Sequence, residues 1–396
     1  MEYNMQDPYP HEPISNILRY AQSCQTDCTC LGPHTRPICR LNDDLQTALV
    51  SGMDTPDALA WRAVCHTTYE VVTGVFRRTK NSILHRFFPE PAAFLYLLTQ
   101  CRAVVGGVAA LSLVLRDPSV QDDLLQVYVG YLWYLPFLMA VTSCPLNGGE
   151  VTRIRKRTFN RQIAREREIM ECTILFLRNG RAVAIYRTGC VSAPAAIAKT
   201  SCTALINFFT EHTFACGYPA LTDSGRTLMC DKHVSRLLQG DFYALGTVLR
   251  AGFTFGMSAA YWAEYSGLSE DGDPKYERPC FREPFLCPQQ DRFFGDKGSI
   301  IDLLDPLDPV LRLCDLRTIP PFGATVAWRL NSTFTCDGGC DVKNEVLHEW
   351  GATTPIVVIP NPFVAALPKE QAKTHHTRSP AGDRRRAVHS KRSHSV

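Results

Sequence analysis

The segment from Cys172 to Tyr186 constrains the fold more than any other. "CTILFL" (172–177) and "AVAIY" (182–186) are short runs of strand-forming residues with Asn179-Gly180 between them. Asn-Gly suits a tight primed turn, so the segment predicts a β-hairpin. A hairpin set among helical patterns directs the chain to an α+β or mixed α/β class. Those patterns lie on both sides. Ala92–Gln100, Val108–Leu115 and Leu132–Ser143 read as helices, and Ala103–Val105 and Leu125–Val129 as strands. Ala195–Phe209 reads as a helix, 226–260 as mostly helical, and 324–330 and 354–360 as strands. The loop-rich, aromatic stretch 271–299 reads as an ordered, irregular cap.

The apolar run Leu124–Leu146 carries no charged residue and is long enough to cross a bilayer. Pro136, Gln126, Thr142 and Ser143 dilute it, and a buried strand followed by a buried helix fits the same residues. The expectation is therefore no membrane span, with a span near 103–146 as the rival. The N-terminus has no basic and apolar leader pattern, so the chain is expected to be intracellular, cytoplasmic or nuclear. Net charge is +3 but unevenly placed. Residues 369–396 hold eight Lys or Arg against two Asp or Glu, so the body is slightly acidic and any attraction for nucleic acid is assigned to the tail. That tail, 368–396, lacks apolar residues and is expected to be disordered. Clustered Arg there also suits a nuclear import signal.

With 17 cysteines and no leader, free thiols or metal ligands are favoured over a disulfide framework. Cys24, Cys28, Cys30 and Cys39, in a flexible segment 1–40, could hold zinc, although their spacing is not that of a standard finger. Cys336 and Cys340 form a weaker pair. No other cofactor is expected. P-loop, G-x-S-x-G and H-E-x-x-H motifs are absent from the sequence.

Residues 41–90 read as a helical unit. Leu41, Leu45, Leu49 and Met53 recur every fourth residue. Thr55 and Pro56 start a second helix, with Trp61, Val64, Cys65, Thr68 and Tyr69 on one face. This pair resembles an F-box. The resemblance implies docking to the Skp-family adaptor of a cullin-type ubiquitin ligase through Leu45, Leu49, Met53, Leu59, Val64 and Cys65, with an unknown target protein. The rival is that these residues only pack the helices onto the chain.

The "FFPEP" of 87–91, the turn at 103–111, "NFFT" (207–210) and "YPALT" (218–222) are similar to a group of uncharacterised basidiomycete fungal proteins with a nucleotidyltransferase-like domain. The implied architecture is an α+β domain over 91–367 with an irregular C-terminal extension. In nucleotidyltransferases, a glycine turn cradles phosphate, and two carboxylates one residue apart on the next strand hold a divalent metal with a third from a later strand. Here the turn is Gly106-Gly107, but the strand positions are Leu124 and Gln126, and no Asp or Glu occurs between Glu171 and Glu211. Asp122 and Asp123 are adjacent, so in an extended strand they would face opposite ways. The expectation is a protein-binding adaptor with a catalytically dead domain. In that domain Gly106, Gly107, Asp122, Asp123 and Gln126 are a nucleotide-binding remnant. An active metal-dependent nucleotidyltransferase is the alternative.

Overall fold

The computed structural model describes residues 43–143, 151–230, 239–265, 285–288, 290, 292–304, 324–330 and 356–360. The cysteine cluster 24–39, Cys336, Cys340 and the tail lie outside these. The chain begins with helices α1 (Asp43–Gly52), α2 (Thr55–Arg62), α3 (His66–His85) and α4 (Pro91–Gln100). Then come β1 (Val104–Gly106), α5 (Gly107–Val114), β2 (Leu124–Val129), α6 (Tyr134–Ser143), β3 (Val151–Thr158) and α7 (Arg161–Arg167). The hairpin is β4 (Ile169–Leu177) and β5 (Ala182–Thr188), followed by α8 (Pro194–Ile197), β6 (Asn207–Phe209), β7 (Thr213–Cys216) and α9 (Pro219–Asp223). The later elements are β8 (Arg226–Leu228), α10 (Gln239–Arg250), β9 (Thr254–Gly256), β10 (Arg292–Phe293), β11 (Ile300–Leu303), β12 (Ala324–Trp328) and β13 (Ile356–Pro360). This is a mixed α+β fold.

Eight strands form one sheet in the order β11-β7-β6-β1-β2-β5-β4-β3. Its neighbours are antiparallel except for the parallel pair β2 and β5. Gly180 takes φ +82° at the predicted hairpin turn, a conformation a side chain resists. Apart from the exposed edge strand β3, the sheet is covered on both sides, which explains its continuous apolar strands. On one face Val105, Leu125, Val127, Ile185 and Phe214 join a core built with α1 to α4 and α6. On the other, Val104, Tyr128, Phe208 and Ala215 meet α8, Tyr218, Trp262 and Trp328. The eight residues of α5 are all buried, so a helix apolar on every side sits inside the fold.

Three expectations change, and one pattern is refined. In α1 the core-facing residues are Gln46 and Val50, with Met53 just past its end, while Leu45 and Leu49 are exposed and do not pack the helix onto the chain. Neighbouring positions on a helix differ by about 100°, so both stripes pass through Met53 and the packing of α3 selects between them. The second predicted helix is two. Ala63 ends α2, and Cys65, fully extended, starts α3 by donating its N–H to the Thr68 hydroxyl (3.1 Å). The predicted helix 195–209 is a single turn, α8, a 3-10 turn at Thr203–Leu205, and β6. A fully buried strand carries an unbroken apolar run that periodicity does not separate from helix. In 226–260, β8 and β9 pair in parallel and flank α10. Among the described residues no helix is long and apolar enough to cross a membrane, and the run 124–146 divides between β2 and α6.

The N-terminal helices share the sheet's core. Phe76 of α3 stacks on Phe214 of β7 with ring centroids 4.9 Å apart. Thr55 donates its hydroxyl to the Val114 carbonyl (2.9 Å), and Lys80 donates to the Glu211 carbonyl (2.7 Å). Arg62, buried at the end of α2, pairs with Asp302 of β11 at 2.8 Å.

Candidate functional site

Strand registers place a row of side chains across the sheet. Gly106 lies opposite Gln126, Gln126 opposite Ala184, Ala184 opposite Ile174, and Ile174 opposite Arg155. The adjacent row runs Val104, Tyr128, Tyr186, Cys172 and Arg157. Side chains directly opposite one another share a face. The face of these two rows is the one away from the N-terminal helices, and a cavity of about 300 Å³ lies over it. Its floor includes Leu124, Gln126, Tyr128, Tyr186 and Cys172, and its walls include Phe159, Phe176 and Tyr243.

The charge of this cavity is one-sided. Arg155, Arg157, Arg167 and Lys199 line it with a single carboxylate, Asp241. Arg167 is tied to Asp241 (2.7 Å) and Lys199 to Glu168 (2.8 Å). Arg155 and Arg157 form no ion pair with another described residue. The floor is neutral. Burial pushes the Cys172 thiol up to about 12 and raises the Tyr128 and Tyr186 hydroxyls as well. All three stay protonated at neutral pH, and Cys172 is no nucleophile there. Tyr128 and Tyr186 stack with centroids 5.0 Å apart. The Tyr128 hydroxyl donates to Gln126 Oε1 (3.2 Å), which leaves the Gln126 NH2 group without a partner among the described residues.

The sequence-predicted remnant is only partly brought together. Gln126 and Leu124 line the cavity, and Ala184 shares their sheet face. Gly107 takes φ +65° as the turn requires, but its open side is filled by the Gln126 amide. A Cβ on Gly106 would lie 2.8 Å from the Tyr128 ring and 2.9 Å from Ile197. The glycines are thus used for close packing, and neither lines the cavity. Asp122 and Asp123 sit before β2 and outside the cavity. Asp123 is a surface carboxylate paired with Arg86 (3.1 Å) and Arg181 (3.6 Å). Burial raises the Asp122 carboxyl. A divalent cation held by oxygen draws its ligands from clustered carboxylates, and among the described residues no group of three His, Cys, Asp or Glu could hold a metal.

Of the predicted docking residues, Leu45, Leu49 and Val64 are exposed. Met53 and Leu59 pack partly buried against the core, and Cys65 is buried at the start of α3. The cationic wall from β3 was legible only as a charged stretch, because its place on the same sheet face as Gln126 depends on the pairing of β2 with β5, strands whose partner residues lie 58 apart in the chain. No family model matches the chain, and neither does any curated protein or solved structure.

Proposed function

We propose that the chain is a protein-binding adaptor whose N-terminal helices dock a partner while the nucleotidyltransferase-like domain performs no metal-dependent transfer. One observation carries the docking half. Leu45 and Leu49 stand 55% and 46% exposed, one turn apart on α1, while Val50 anchors the helix to the core. Two exposed leucines on a helix held in place form a ridge suited to a groove in a partner. The F-box resemblance names that partner as a Skp-family linker of a cullin-type ligase, with a target protein still to be identified. This reading places the protein inside the cell.

Leu45→Asp with Leu49→Asp should abolish co-purification with a Skp-family protein and leave the thermal melt unchanged, because both side chains already face water. Failure of the wild-type chain to co-purify with that protein overturns the docking reading.

The non-catalytic half rests on the neutral row Leu124, Gln126 and Ala184. Calorimetry with each nucleoside triphosphate and magnesium or manganese should give no metal-dependent binding tighter than about millimolar, roughly 4 kcal/mol. Micromolar metal-dependent binding would establish an active site instead.

A further inference from the structure

We propose that the edge strand β3 and the cavity beside it bind single-stranded nucleic acid without metal, through residues of the folded body rather than the basic tail. The proposal does not rest on the adaptor reading, which concerns α1 on the other side of the sheet.

The strand itself supplies the first reason. Arg153, Arg155 and Arg157 occupy alternate positions of β3 and therefore one face of it. At the strand's rise they stand about 7 Å apart along it. That is close to the step between successive phosphates in an extended nucleic-acid strand. A single phosphoryl group would be satisfied by one clamp, whereas a row of three guanidinium groups matches a repeating anion.

Their freedom is the second reason. None of the three pairs with a carboxylate among the described residues, while Lys156 between them is held by Glu171 (3.1 Å). Among the described residues the row is exposed and uncompensated, so its charge is available to a ligand.

The third reason is the aromatic company. Arg153 lies over the Phe176 ring at 5.2 Å and Arg157 over Phe159 at 5.3 Å. Each ring attracts its guanidinium as a cation–π partner without using up its N–H donors. Phe159, Phe176 and the 61% exposed Tyr243 also line the cavity, offering ring faces on which bases stack. The cavity volume of about 300 Å³ is of the size one nucleoside needs. The free Gln126 NH2 on its floor can pair with a base edge.

Cations on an edge strand also guard against sheet-to-sheet pairing. That role alone explains Lys or Arg at β3 but asks for no aromatic cavity beside them. The two differ in what the variants lose: edge guarding predicts aggregation, and the proposal predicts loss of a ligand.

The test is fluorescence anisotropy with fluorescein-labelled oligo-dT and oligo-U of about twelve nucleotides, in EDTA at low salt. The full-length chain is used with Arg384, Arg385 and Arg386 replaced by Gln to silence the tail. Micromolar binding is expected. Arg155→Gln with Arg157→Gln should weaken it at least about tenfold and flatten the salt dependence by about 1.4 in log–log slope, at roughly 0.7 per lost phosphate contact. Arg155→Lys with Arg157→Lys should keep the slope. Tyr243→Ala should weaken binding with the slope unchanged, the mark of lost stacking. Several results overturn the proposal: no micromolar binding, binding that needs magnesium, binding indifferent to Arg155 and Arg157, or aggregation as their only effect. So does tighter binding of a phosphoserine peptide through the same arginines, which would make the site a phosphopeptide clamp.

Discussion

Asp296→Ala should cost about 3–5 kcal/mol of folding stability, the usual loss when one partner of a buried ion pair is removed. Arg292 and Asp296 are 0% and 1% exposed, joined through Nε–Oδ2 at 2.6 Å and Nη2–Oδ1 at 3.0 Å. The same guanidinium donates to the Gly217 carbonyl (2.8 Å) and faces the Tyr218 ring at 4.4 Å. Asp296 also accepts the Phe293 and Gly298 N–H groups. Its removal leaves a cation in a dry site and two amides unsatisfied at once. The melting temperature should fall by on the order of 10 °C. Adding Arg292→Met should restore part of that loss, since no charge would then be stranded. A loss under about 1 kcal/mol would show that water reaches Arg292.

Asp302→Ala should be the next most damaging change, at about 3 kcal/mol. Arg62 and Asp302 are 6% and 8% exposed and bridge α2 to β11 at 2.8 Å. Arg62 also donates to the Leu303 carbonyl at 2.8 Å. The effect should be local as well as global. Amide hydrogen exchange should rise first in α2 and in β11, an edge strand, while β2 and β5 at the sheet centre keep their protection. Uniform acceleration across the sheet would mean that the pair supports the whole fold and not one seam.

The hairpin was legible because Asn179-Gly180 and its flanking β-rich runs agree at every level of reading. The turn into α5 was legible because Gly106 and Gly107 mark a position few residues tolerate. The start of α3 was missed because Cys65 acts as an N-terminal cap, a role more familiar from Ser, Thr, Asp or Asn. Strand β6 was missed because "INFF" is buried on both faces and carries no alternation. For the site, the row Leu124, Gln126 and Ala184 follows from sequence once β2 and β5 are paired. Tyr243 and the β3 arginines do not. Their partners are set by a sheet order in which the third strand along the chain ends up at the edge, two places from β5.

The shared core described for Phe76 and Phe214 bears on how portable the N-terminal helices are. A module that can be cut out and grafted elsewhere has its own core and a polar boundary. Here a cut near residue 90 would bare Val72, Val75, Phe76, Ile83 and Leu84 on one fragment and Phe209 and Phe214 on the other. Both fragments would carry apolar surfaces too large to stay soluble. Evolution by shuffling this segment between chains is correspondingly difficult. A partner docked on Leu45 and Leu49, as proposed, would be held at a fixed bearing to the sheet, because α1 packs into the same core.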